Sequence, residues 1–321
     1  MDVPGKLFER LGGSHQGGQE PGTTLLAFGT ANSVWCGMDR DARFDRAAEN
    51  VGNIVKLEHV NLSVPDQRLA TAFYVSGLGL TRDPYLMTGV ENMWVNAGEA
   101  QFHLPTREPQ VFRGRIGLVV PDLAALLARL RAVRETLAGT RFEWSERGDY
   151  VDAICPWGNR IRCHAPDPAR FGPRIIGMPY LEFDVPEGCA SGIAAFYREI
   201  FDVPSTLAGG TAIVIVGPRQ ALRFRETSGE PAPYDGHHMQ IYLADFAAPY
   251  ERLLGRGLVS RETDEHEYRF IRIVDLATGV LLFEIEHEVR SMRHPLYGRP
   301  LVNRNPAQSQ RDYVPGRDAL Q

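Results

Sequence analysis

Four segments of the chain share one pattern of apolar and polar positions. LEHVNLSVPD (57–66), RGRIGLVVPDL (113–123), MPYLEFDVPE (178–187) and HHMQIYLADF (237–246) each alternate apolar with polar residues, then reach an acidic residue. Alternation marks a strand buried on one face. The acidic residue can accept hydrogen bonds from the free N–H groups that open a helix. An amphipathic stretch and two or three shorter strand patterns follow each copy. Recurrence at about 56 to 65 residues points to one supersecondary unit used four times.

The pattern predicts the order βαβββ in every unit. In the first, a strand over 56–64 precedes a helix from Asp66, with Leu69, Ala72, Phe73 and Val75 near one face and a stop at Gly77 or Gly79. Strands follow at about 81–87, 91–96 and 100–105, with turn signals at Thr88-Gly89 and Ala97-Gly98. The second unit has a strand over 114–120 and a helix carrying Leu123, Leu126, Leu127 and Leu130 on one stripe. Its later strands fall at 141–146, 149–154 and 159–164, the last two joined by the turn PWGN. PDPARFGPRII (166–176) reads as a linker. The third unit predicts a strand over 178–185, a helix over 190–201 and strands near 205–208, 211–216 and 220–225. The fourth predicts a strand over 238–243, a helix over 245–255 and strands near 259–263, 268–274 and 280–286. Phe73, Tyr74, Trp94, Phe102, Phe196 and Tyr197 are expected in the core.

Taken in chain order, the units give one domain over 51–165 and a second over 177–288. Residues 1–50 lack any sustained period and read as a disordered extension. The tail 289–321 carries Leu296, Tyr297, Leu301 and Val302, which need burial against this chain or a neighbouring subunit, so a homodimer is an expectation.

Composition narrows the function classes. The chain has 321 residues, 43% hydrophobic and 23% charged, the range of globular domains. A net charge of −5 gives no footprint for nucleic acid. No apolar run reaches the length of a membrane span. Cys36, Cys155, Cys163 and Cys189 show no CxxC spacing and are expected as free thiols, in keeping with a cytoplasmic location. No Walker loop, dinucleotide fingerprint, nucleophile elbow or zinc-finger spacing is present.

A βαβββ unit used in pairs resembles the vicinal oxygen chelate superfamily, which includes glyoxalase I, the bleomycin-resistance proteins and the extradiol dioxygenases. The likeness is carried by LEHVNLSV with FYVSGLGL, PWGNRIR, FYREIF, and HHMQIYL with TGVLLFEIE, and spans about 55–288. It implies an α+β chain of four βαβββ modules paired into two half-barrel domains. It also implies that metal ligands stand on the opening and closing strands of the units. Aligning the opening strands on Val64, Val120, Val185 and Leu243 makes His59, Arg115, Tyr180 and His238 equivalent.

On that resemblance the second domain is the metal candidate. His238 and Glu284 are the expected ligands, with His237 or Tyr180 completing the set. HEYRFIRIVDLATGVLLFE (266–284) keeps the His and Glu of the extradiol signature but puts Arg272 where it has Tyr. His266, Arg272 and Tyr180 are then the catalytic candidates. The first domain offers His59 and His103, faced by Arg115, Arg162 and His164. Two arginines disfavour a cation and favour a bound carboxylate, so His59, His103, Arg115 and Arg162 are candidate substrate-binding residues. The resemblance implies a metal-dependent enzyme acting on a small substrate with vicinal oxygens. Fe or Mn would suit a ring-cleaving oxidoreductase, and Zn or Ni an isomerase or lyase. The alternatives are a metal-free binding protein of the bleomycin-resistance type and a structural protein whose cavities are filled.

Overall fold

Each of the four units folds as βαβββ, with boundaries close to those its side-chain pattern predicts. The computed structural model describes residues 50–304 except 87, 88, 90 and 230. The expected extension, Cys36, Thr88 of the first turn signal and the end of the tail lie outside the described residues. The first unit comprises β1 (Ile54–Asn61), α1 (Gln67–Ala70), which runs on as a π-helical segment Thr71–Gly77, β2 (Thr81–Arg82), β3 (Asn92–Ala97) and β4 (Ala100–Pro105). The second comprises β5 (Gly114–Val119), α2 (Leu123–Ala132), β6 (Glu143–Glu146), β7 (Tyr150–Ile154) and β8 (Arg160–His164). A short helix, α3 (Pro168–Phe171), interrupts the linker. The third comprises β9 (Gly177–Pro186), α4 (Ala190–Phe201), β10 (Ser205–Ala208), β11 (Thr211–Gly217) and β12 (Gln220–Thr227). The fourth comprises β13 (His238–Leu243), α5 (Ala247–Leu254), β14 (Val259–Asp264), β15 (Glu267–Val274) and β16 (Leu281–Ser291).

The predicted helix openers act in three units. Asp66, Asp122 and Asp245 each accept two backbone N–H groups of the helix that follows. The third unit differs. There Glu226 reaches across from β12 and accepts from Ala190 N at 2.9 Å.

Consecutive units do not share a sheet. One eight-stranded sheet has the order β14-β15-β16-β13-β1-β4-β3-β2 and joins unit four to unit one. The other has the order β10-β11-β12-β9-β5-β8-β7-β6 and joins unit three to unit two. In both, the two opening strands lie antiparallel at the centre, and each closing strand runs parallel outside its own opening strand. The sheets therefore cut across the 51–165 and 177–288 division suggested by chain order. All four opening strands are apolar on one face, so alternation specifies that they pair but not with which partner. The fold class is as expected: α+β, with four βαβββ modules in two half-barrels.

One hydrophobic core cluster runs through both sheets and their helices. The six aromatics expected in the core are all buried. Cys155, Cys163 and Cys189 are free thiols, the first two buried. The turn at Gly98 (φ 68°) lies against the linker, where a Cβ would come within 2.3 Å of the Ile176 carbonyl oxygen. Gln220 ties the sheets together. Its Oε1 accepts from Leu57 N at 3.1 Å, and its Nε2 donates to Leu57 O at 3.0 Å and Met178 O at 3.2 Å. The tail returns over the sheet shared by units one and four: Asn303 bonds both backbone groups of Gly98, Arg299 pairs with buried Asp83, and Tyr297 packs on Tyr242. Among the described residues no helix is long and apolar enough to cross a membrane.

His287 shows what the core does to a titratable group. It stacks on Phe270 with ring centroids 4.0 Å apart, donates from Nδ1 to Ile285 O at 2.8 Å and accepts the Tyr197 hydroxyl at 2.5 Å. Burial pushes its pKa down to about 3. A depressed histidine leaves stability intact above its ordinary value near 6.5 and removes it as pH falls toward the folded value. The unfolding free energy of metal-free protein, measured with urea, is expected to fall between pH 6.5 and 4, at up to about 1.4 kcal/mol per pH unit from this residue. His287→Phe is expected to flatten that slope, and an unchanged slope would contradict the assignment.

Candidate metal centre

The pairing of unit one with unit four brings three histidines together. His59 stands on β1, His103 on β4 and His238 on β13, and one ring nitrogen from each lies within 4.8 Å of the others. The strand register explains this. Across the antiparallel centre, Asn61 faces His238 and Gln240 faces His59. Asn61 also faces His103 on the parallel closing strand. By the same step in the fourth unit, Gln240 faces Glu288 on β16. Each opening strand thus supplies a histidine, then an amide two residues on, and opposite that amide the closing strand supplies His103 or Glu288. Glu288 lies with Oε2 3.4 Å from His238 Nε2. The set is three imidazoles and one carboxylate.

A bulge in β1 shapes the site. The register slips between Leu57 and His59, so Leu57 keeps to the core while Glu58 and His59 both serve the polar face. Glu58 Oε2 holds His59 Nδ1 at 3.3 Å. His59 Nε2 is buried and has no partner. That is the arrangement of a metal-binding imidazole: one nitrogen oriented by a carboxylate, the other an unused lone pair. Burial lowers the pKa of His59 and pushes that of His103 down to about 2, which keeps both rings neutral and able to ligate. His103 stacks on Trp94 at 3.9 Å, and its two nitrogens contact Asn61 and Asn92, each at 2.6 Å. One of these amides must yield if the ring takes a metal; the other would then orient it.

Glu288 is anchored from behind. Arg269 and Arg290 both pair with it, and they also bind Glu267, while Arg290 reaches Glu58 and Arg269 reaches Glu286. Burial alone would raise the Glu288 pKa, but the His238 hydrogen bond, His59 and the two guanidinium groups outweigh it and hold the carboxyl ionised. Gln240 completes the face. It is fully buried, and neither its amide oxygen nor its nitrogen has a partner.

The other expected site residues lie elsewhere. His237 directs Nδ1 to Asp235 at 2.6 Å and packs against Phe112 and Tyr234, outside the histidine group. Glu284 stands opposite Arg272, four residues along β16 from Glu288, and its carbonyl accepts from Arg113. Arg272 is exposed. His266 sits in the β14–β15 turn, with Nε2 3.3 Å from Glu265. Tyr180, Arg115 and Arg162 belong to the other sheet. Tyr180 bonds His164 at 2.9 Å, Arg115 pairs with Glu182 at 3.0 Å and Arg162 with Asp152 at 2.8 Å. The sequence pattern ends the closing strand near 286 and leaves Glu288, with Glu284 and Glu286, as a carboxylate open to solvent rather than a ligand. Aligning the two closing strands, QFHLP with EHEVR, sets it at the position equivalent to His103.

No protein-family model matches the sequence, and no curated protein matches it. Solved structures do. A Bacillus subtilis protein carrying a provisional dioxygenase name is 14% identical over 78% of this chain and 92% of its own, with a TM-score of 0.50. Glyoxalase I from Zea mays is 12% identical over 74% and 92%, with a TM-score of 0.48. At these identities the likeness is one of fold. With two half-barrels of paired βαβββ modules, this chain has the fold of the vicinal oxygen chelate superfamily.

Proposed function

We propose that the protein is a metal-dependent enzyme acting on a small substrate with vicinal oxygens, its metal held by His59, His103, His238 and Glu288. One observation carries the reading: about the sheet centre the register makes His59 equivalent to His238 and His103 equivalent to Glu288, with the His59 Nε2 lone pair buried and unused. Three neutral imidazoles and one carboxylate suit a divalent first-row metal such as Fe, Mn, Zn or Ni. Such an ion would supply a Lewis acid for two neighbouring substrate oxygens. The chain's own residues do the rest. Glu58 keeps the proton of His59 on Nδ1. Arg269 and Arg290 keep Glu288 ionised and fixed. Gln240 offers both a donor and an acceptor to a substrate oxygen. Trp94 walls the His103 side against water.

The donor set fits Fe(II) or Mn(II) with ring-cleaving oxygenase chemistry, and Zn or Ni with isomerase or lyase chemistry. Oxygen uptake on catechol-type substrates, measured after loading each metal in turn, separates the two. Turnover of any vicinal-oxygen substrate is expected to stop on chelation and return with one metal per chain. Turnover that ignores a chelator would contradict the proposal. A metal-free binding role is favoured by one feature, the contacts that already satisfy both His103 nitrogens. It predicts tight ligand uptake with neither turnover nor bound metal.

A further inference from the structure

The second sheet repeats the register of the first with different chemistry. Arg115 faces Glu182 and Gly117 faces Tyr180 across its antiparallel centre. Gly117 faces Arg162 on β8, and Glu182 faces Arg223 on β12. Position for position, Arg115, Arg162, Tyr180 and Arg223 stand where the first sheet has His59, His103, His238 and Glu288. Four donors for a cation are replaced by three guanidinium groups and a phenol.

We infer that this second sheet holds a metal-free site for a small carboxylate or phosphate anion, built on Arg223, Arg162, Arg115 and Tyr180. The charge on the face is unbalanced. Arg115, Arg160, Arg162 and Arg225 share three carboxylate partners, Asp152, Glu182 and Asp184. Arg223 has none. Its guanidinium carbon lies 4.0 Å over the Tyr180 ring, and its Nε is buried without a hydrogen-bond partner. Among the described residues it is the one guanidinium on this face with no ion pair. A half-buried arginine held on a ring with its fork unused is suited to grip an oxyanion through two N–H groups.

A second unmet donor lies beside it. His164 alternates onto the same face as Arg162 and is 3% exposed. Its Nε2 lies 2.9 Å from the Tyr180 hydroxyl, and its Nδ1 is buried without a partner. With the phenol donating to Nε2, the remaining proton sits on Nδ1, where the N–H can donate a hydrogen bond to an anion. Tyr180 itself blocks a metal. Its ring fills the space beside Gly117, where even a Cβ would come within 2.4 Å of it. Gly117 is thus required for the phenol to lie among the arginines. Both Tyr180 and His164 feel Arg162 and Arg223, so these groups converge on one spot.

The test is isothermal titration of chelator-treated, dialysed protein with succinate and, separately, inorganic phosphate at low ionic strength. Wild type is expected to take up one anion per chain, and the preferred arm distinguishes a carboxylate from a phosphate ligand. Arg223→Gln is expected to weaken binding at least tenfold, Arg223→Lys to retain most of it, and His238→Ala to leave it unchanged. Because Arg223 faces repulsion and no ion pair, Arg223→Gln should melt no lower than wild type. A wild type that binds neither anion, or an Arg223→Gln variant that binds as wild type does, overturns the inference. The His238→Ala arm separates its failure from failure of the metal centre.

Discussion

His59→Ala, His238→Ala and Glu288→Gln are expected to lose the metal, while Glu284→Gln keeps it. Outer partners of a metal ligand typically change affinity by about 10–100-fold, so removing a ligand itself should exceed that range. Metal content after gel filtration should fall from about one per chain to a small fraction, and turnover should fall with it. The contrast between two carboxylates on one strand is the sharp part. Glu288 lies across Gln240 from the histidines, whereas Glu284 is paired against Arg272 at the far end of the register. Equal loss in both variants would mean a general disturbance of β16 rather than loss of a ligand. Retention in Glu288→Gln would remove the carboxylate from the proposed set.

Arg290→Ala is expected to be the most destabilising single change near the site. Arg290 contacts Glu58 at 3.5 Å and Glu267 at 3.0 Å, and also pairs with Glu288. All three carboxylates are at most 4% exposed. Breaking a buried pair leaves charge without compensation and typically costs about 3–5 kcal/mol. The pH dependence follows. Burial alone would raise Glu58 and Glu288, but their cationic and histidine partners hold both below the ordinary value of 4.5. Depressed carboxylates contribute stability that is present above 4.5 and lost as pH falls through their folded values. The gap between wild type and Arg290→Ala in urea unfolding should therefore be widest near neutral pH and narrow under acid. A gap below about 1 kcal/mol at pH 7 would show that water or rearrangement satisfies the carboxylates.

The units themselves were legible because alternation and helical stripes report burial directly. The helix over 190–201 and the strand over 238–243 fall where the pattern sets them. The partner of each sheet was not legible. Four similar opening strands can pair in more than one way, and grouping them in chain order separated His59 and His103 from His238. The bulge at Glu58 was also hidden, since its backbone depends on Gln220 from the other sheet. β16 was ended too early because Glu288 and Arg290 are buried polar residues. They pair with each other along one face of the strand rather than following the apolar rhythm. Arg115 and Tyr180 align with the histidines in the sequence and Arg162 was expected to face His59 and His103, but their grouping with Arg223 appears only once units two and three share a sheet.

The account rests on one metal held jointly by the first and fourth units. Anomalous diffraction from metal-loaded crystals, collected at the absorption edge of the loaded metal, tests it most directly. The predicted result is a single peak per chain, bounded by His59, His103, His238 and Glu288. A peak elsewhere, or none at full loading in solution, would contradict it.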